Sequence, residues 1–151
     1  MVRPRVEVRP TTEWDIDGLA NEVPEDQRKL LESIRGWDPH IWREQMSTCV
    51  VGDDPIAIAG VLPYVDAESL ILFCFVGKKA NRHKLTLTRW AKACMETTIE
   101  RFRPRRIEVT TRSDTPVNGH WAEVLGFSHE GTMRKWGVDG ADYERWAWVR
   151  P

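Results

Sequence analysis

No apolar run in this chain approaches the roughly 18–20 residues needed to cross a bilayer, and no N-terminal segment has the apolar core of a signal peptide. Both absences lead to the expectation of a cytoplasmic protein without membrane contact. Cysteine is scarce: Cys49, Cys74 and Cys94 form no CxxC pair, which excludes the usual zinc and dithiol motifs. They read as reduced core residues, two of them inside strongly apolar patterns, and no metal is expected. Charge of one sign is missing overall, since the formal net charge is -1, so global electrostatics identifies no partner. Locally the picture differs. Acidic residues are absent from Gly77 to Met95, and no second glycine occurs between Gly77 and Arg89.

What is present is an ordinary globular composition, 41% hydrophobic and 30% charged, which separates it from disordered chains. At 151 residues one core suffices, and no repeat, low-complexity segment or long linker divides it, so residues 1–151 are expected to form a single domain. Val6 to Val8 alternates as a short strand stopped by Pro10. Thr12 with Asp15 three residues on marks a helix start, with Trp14, Ile16 and Leu19 facing inward. A second helix begins at Pro24 and carries Leu30, Leu31 and Ile34 to Gly36, and a short third follows Asp38-Pro39 through Trp42.

After Met46 the period changes from helical to extended. Cys49 to Val51, a turn at Asp53-Asp54 and Ile56 to Leu62 read as a hairpin. Leu70 to Val76 is seven consecutive apolar residues, the signature of a central strand buried on both faces. Leu87, Ala91, Cys94, Met95, Thr98 and Phe102 recur at helical spacing until Pro104. Ile107 to Thr111 is the next strand, and a crossover of helical length makes these two strands parallel neighbours. Asn118 to Leu125 is a short helix capped by Gly126. Glu130 to Val138 and Tyr143 to Val149 then form a hairpin turning at Asp139-Gly140.

This order, together with Leu125-Gly126-Phe127, Glu130-Gly131-Thr132-Met133-Arg134 and a last strand from Tyr143, resembles the GNAT superfamily of acyl-CoA-dependent N-acetyltransferases. The likeness covers most of the chain in element order and is motif-specific only in its C-terminal part. It implies a mixed α/β fold: a central mixed sheet of six to seven strands, N-terminal helices, a crossover helix and a C-terminal hairpin. It also implies acetyl-CoA as co-substrate and a primary amine as acceptor. The short chain, aromatic strands and lysine-rich loop further resemble small GNAT-like proteins of tailed phages. That narrower likeness implies a virion, assembly or host-interaction protein that has lost the chemistry, in host cytoplasm or virion, with a virion or host partner or a homodimer.

By the resemblance, the strand Leu70–Val76 splays from its parallel neighbour to admit pantetheine, and the following loop and helix start hold the pyrophosphate. The cofactor residues are then Phe75, Val76, Gly77, Lys78, Lys79, Asn81, Arg82, His83, Lys84 and Leu85. The family's loop pattern is Gln or Arg, two residues, Gly, one residue, then Gly or Ala. Here the positions of those glycines fall on or near Lys84 and Thr86. Lysine and arginine side chains can pair with a diphosphate directly, and five basic residues occupy the seven positions Lys78 to Lys84, with Arg89 and Lys92 continuing the run beyond them.

Acetyl transfer needs a neutral amine, a polarised thioester carbonyl and a proton for the leaving thiolate. The polarising donor would be a main-chain N–H near Phe75 or Val76. The tyrosine that many GNATs place four residues before the Gly of Leu-Gly-Phe is here Ala122. Ser113, Tyr143 or Cys74 could supply the proton instead, and Glu68, Glu108 or His120 could act as base. Of the eight tryptophans, Trp37 and Trp42 fall where GNAT folds border the acceptor. Trp136 and Trp146 lie beside basic residues as a nucleic-acid platform would require, but Trp146 and Trp148 share one strand face, which is ordinary core packing, so nucleic acid is not the expected partner.

Overall fold

The computed structural model describes residues 3–151. Seven strands form one mixed sheet: β1 (Val6–Pro10), β2 (Met46–Val51), β3 (Asp54–Pro63), β4 (Ser69–Val76), β5 (Arg106–Arg112), β6 (Ser128–Met133) and β7 (Tyr143–Val149), in the order β1-β2-β3-β4-β5-β7-β6. Among the described residues five α-helices connect them: α1 (Glu13–Ala20), α2 (Glu25–Ser33), α3 (Pro39–Gln45), α4 (Lys84–Phe102) and α5 (Pro116–Val124). β4 is fourth of seven, and its pairing with β5 is parallel, as the helical crossover requires. No helix among the described residues is long and apolar enough to cross a membrane.

The chain separates into two compact units, Met1–Gly60 with Cys74–Cys94, and Val61–Phe73 with Met95–Pro151. In the first, β1, β2 and β3 form an antiparallel meander, and Ile16, Leu19, Leu31, Ile34, Ile56 and Ile58 are fully buried. Helix α1 starts as its Thr12/Asp15 spacing predicts: the Asp15 carboxylate accepts from the Thr12 N–H at 2.8 Å and from its hydroxyl at 3.0 Å. Asp15 is buried, and the Arg9 guanidinium on β1 grips it through two 2.7 Å bonds while Thr48 on β2 donates a third contact at 3.1 Å. A cap thereby also ties α1 to the sheet. Trp14 does not face inward; it is 84% exposed, because Asp15, Ile16 and Leu19 take the buried stripe. Leu30 is likewise exposed, and Pro24 caps α2 from outside, with extended ψ, rather than forming its first turn.

The core of the second unit gathers Val61, Leu70, Met95, Ile107, Ala122, Phe127 and Trp146. Gly126, at φ +96, supplies the left-handed cap after α5 that Leu-Gly-Phe implies. β6 is shorter than its apolar pattern suggests: it ends at Met133, after a register shift at Gly131 (φ +150), and Lys135 turns left-handed at φ 54. The connection to β7 is therefore a long loop, its Gly140 at φ +79, in place of a two-residue turn. β4 is not buried on both faces throughout. Leu70 and Phe75 are buried, while Ile71 to Cys74 are half-buried.

Candidate active site

In the first unit, the end of β4 leads into the basic loop. Gly77 donates its N–H to the Ile56 carbonyl at 2.9 Å, and Lys78 donates to Glu22 O at 3.1 Å. A Cβ on Gly77 would lie 2.8 Å from Leu19 Cδ1 and 3.1 Å from Glu22 Cβ. That glycine is needed for packing, and two amides that could have faced a phosphate are committed to the protein. Lys78–Arg82 then winds as a 3-10 turn anchored by buried Ala80, and His83 O accepts from Leu87 N at 2.8 Å. His83 is thus the residue at which α4 begins, and the N–H groups of Lys84, Leu85 and Thr86 have no acceptor within the helix. They lie at the positive end of a 19-residue helix, where backbone donors of this kind are available to an anion.

The loop cations are not equivalent. Lys79 Nζ sits 2.7 Å from Asp54 Oδ1, and that hydrogen bond holds its pKa above the ordinary lysine value. Lys78, Arg82 and Lys84 are exposed and, among the described residues, make no ion pair. The three cysteines are free thiols, and burial pushes Cys49 up to about 11 and Cys74 up to about 12. Burial that raises a thiol in this way makes Cys74 a weaker proton donor.

In the second unit, the parallel ladder between β4 and β5 covers only Ser69↔Arg106, Leu70↔Ile107 and Ile71↔Glu108. Both strands continue past this point, β4 through Leu72 and Phe73 and β5 through Val109 to Arg112. β5 keeps its antiparallel pairing with β7 through Arg112↔Tyr143. The ladder ends although β5 keeps its strand geometry.

The four carboxylate, imidazole and hydroxyl candidates divide into three places. Glu68 precedes β4, at the opposite end of that strand from Gly77, where its carboxylate lies 3.3 Å from Arg105 Nη1. Glu108 closes the ladder, mostly buried, accepting from Arg106 Nε at 2.8 Å while the same guanidinium holds Glu130 on β6. Ser113 and His120 share an open hollow of about 480 Å³, lined also by Thr111, Glu123, Glu144 and Trp146. Among the described residues no cluster of His, Cys, Asp or Glu is arranged to hold a metal.

The hollow has a centre that the sequence pattern does not reveal. Glu144 on β7 accepts from Ser113 Oγ at 2.8 Å and Thr132 Oγ1 at 2.7 Å, and lies 2.7 Å from His129 Nε2. Since a carboxylate only accepts, the imidazole must donate here. His129 first, then the Thr132 and Ser113 hydroxyls, holds the Glu144 pKa down to about 2. The indole of Trp146 forms the floor: His129 meets it edge-on at 4.9 Å, and its Nε1 donates to Thr111 Oγ1 at 3.0 Å. Tyr143 is engaged elsewhere, beneath the Arg112 guanidinium at 5.7 Å and beside Trp136 at 5.1 Å. Glu144 and His129 carry no local motif, and Thr132, although inside Glu130–Arg134, is not marked there as a partner of Glu144. Only the β6–β7 register, which sets Thr132 opposite Glu144, brings them together.

No sequence profile of a known protein family matches the chain, and no curated protein is similar to it in sequence. Its fold, by contrast, has many solved counterparts. An acetyltransferase of the GNAT family from Bacillus anthracis superposes with a TM-score of 0.72 at 12% identity, over 99% of this chain and 97% of that one. A chimera of the spermidine N-acetyltransferase SpeG from Vibrio cholerae and hSSAT gives 0.72 at 16% identity, over 95% of each chain. Ard1 from Thermoplasma volcanium gives 0.70 at 12% identity, over 97% of this chain and 98% of that one. The fold is that of the GNAT acetyltransferases, as the element order and C-terminal motifs imply.

Proposed function

We propose that the protein is an N-acetyltransferase that moves an acetyl group from acetyl-CoA to a primary amine by direct attack. The observation that carries this reading is the three-pair ladder between β4 and β5. An extended pantetheine chain needs strand edges free of each other, and the β4–β5 pairing stops after Ile71 and Glu108, which supports such an edge there. A ladder continued to the ends of both strands would leave no such edge. The main chain at Phe75 and Val76 is the proposed donor to the thioester carbonyl. The phosphates would lie on the amides of Lys84 and Leu85, gripped by Lys78, Asn81, Arg82, His83 and Lys84 instead of a glycine cradle.

For proton transfer the reading favours the hollow. Ser113 is oriented by an ionised Glu144, to which its hydroxyl donates, and His120 lies on the same wall as the base candidate. Glu108 is the second base candidate, at the point where the ladder ends. Glu68, at the far end of β4, is the weakest.

Calorimetric titration with acetyl-CoA tests the proposal. Binding is expected at micromolar cofactor, and absence of heat at high micromolar concentration would end it. Arg82→Ala and Lys84→Ala should each weaken binding by about 1.5–3 kcal/mol if they hold phosphate. Lys79→Ala should weaken it less, because Asp54 already occupies that ammonium.

A further inference from the structure

We propose that the exposed face of α4 from Leu85 to Lys92 docks an acidic carrier protein, which presents the acyl thioester on its own phosphopantetheine arm and is preferred over free acetyl-CoA as donor. The proposal rests on the acetyltransferase reading and specifies the donor for the same site. Leu85, Arg89 and Lys92 are spaced by four and three residues, so they stack along one helical face. All three are exposed, Leu85 at 76%, and neither cation makes an ion pair among the described residues. Seven residues of helix carry the stripe about 10 Å along the axis, beyond the last N–H that could meet a phosphate at the helix start. Charge placed there meets a nucleotide seated at the N-terminus only at a distance, screened by salt.

The chemistry of the stripe favours a protein. An aliphatic side chain set among cations matches an amphipathic acidic surface, where apolar contact adds to charge complementarity. A single-stranded nucleic acid would need aromatic platforms, and the tryptophan within this segment, Trp90, is buried with its Nε1 toward Ser47 Oγ at 3.4 Å. The donor side of the loop agrees. A nucleotide pyrophosphate is best held by backbone donors, and those of Gly77 and Lys78 are spent on Ile56 and Glu22. A carrier-borne arm has one phosphodiester and no nucleotide, so it asks less of the cradle and more of the surface around it. The transfer itself balances without another reactant. The amine nitrogen bonds to the acetyl carbon as the carbon–sulfur bond breaks; one proton leaves nitrogen and one ends on the arm's sulfur, giving an amide and a free thiol.

The test compares two titrations of the full chain, one with acetyl-CoA and one with an acetylated holo acyl carrier protein, each repeated with the double variant Arg89→Glu/Lys92→Glu. Tighter binding of the carrier is expected, weakened about ten-fold or more by the charge reversal, with acetyl-CoA affinity unchanged. Acetyl-CoA binding without carrier binding, or carrier binding indifferent to the reversal, overturns this proposal and leaves the acetyltransferase reading standing. Failure of acetyl-CoA to bind at high micromolar concentration overturns both. A reversal-sensitive gel shift with single-stranded DNA, in the absence of carrier binding, also overturns it and reassigns the stripe to nucleic acid.

Discussion

Individual residues were legible where the chain's own backbone enforces their role, and opaque where a neighbouring strand does. Asp15 and Gly126 could be placed from spacing alone, because capping is local. The exposure of Trp14 could not, since helical spacing does not say which of two apolar stripes meets the sheet. Glu144 is the clearest case: nothing in its sequence neighbourhood marks it, yet it collects donors from Ser113, just past the end of β5, and from His129 and Thr132 on β6. Its depressed pKa has a consequence for acid stability. A carboxyl at about 2 in the folded protein and near the ordinary 4.5 in the unfolded chain contributes stability that is complete above pH 4.5 and is lost as pH falls toward 2. Thermal unfolding should therefore show the melting temperature of the wild type falling across that window more steeply than that of Glu144→Gln. Parallel curves for the two proteins would show that the hydrogen bonds to Glu144 do not favour its ionised form.

At the scale of elements, type and order followed from hydrophobic period, and the boundaries that were missed have identifiable causes. The run after Glu130 alternates well enough to suggest a strand to Val138, but left-handed Lys135, whose N–H is taken by Asp142 at 2.8 Å, turns the chain out of the sheet. Helix α5 shows how closely elements constrain one another around the hollow. A Cβ at Gly119 would stand 2.8 Å from Trp146 Cζ2, and the indole is fixed by its bond to Thr111. Alanine would gain about 1 kcal/mol of helix propensity and incur about 1–3 kcal/mol from forcing the ring to move. The steric term should win, so Gly119→Ala is expected to lower stability in urea and alter the near-ultraviolet circular dichroism of the tryptophans. Gly36, with nothing within 4 Å of an added Cβ, is the control, and Gly36→Ala should be neutral or stabilising by up to about 1 kcal/mol. An unchanged spectrum in Gly119→Ala would mean that the floor of the hollow yields without resistance.

For the whole molecule, the element order, the central place of β4 and its parallel crossover to β5 were readable, whereas the early end of the β4–β5 ladder could be expected only from the family resemblance, because the same apolar run would serve a fully paired strand. Net charge was equally uninformative: a value of -1 conceals a stretch from Gly77 to Met95 with no acid in it. That concealment gives a measurable distinction between two ways of holding a cofactor. Backbone amides at a helix start act at hydrogen-bond distance and are weakly affected by salt, while exposed lysine and arginine side chains act through water and are screened once the Debye length falls from about 10 Å at 0.1 M to about 3 Å at 1 M. If the grip is made of Lys78, Arg82 and Lys84, the advantage of acetyl-CoA over acetyl-pantetheine, which shares its thioester and lacks the nucleotide phosphates, should shrink steeply across that range. The affinity of acetyl-pantetheine itself should barely move, since its contacts are with strand edges. Calorimetry of both ligands at the two salt concentrations measures the difference directly. An advantage that persists at high salt would mean that the amides of Lys84 and Leu85 hold the phosphates, and that the missing glycines are replaced by the helix start rather than by the cations around it.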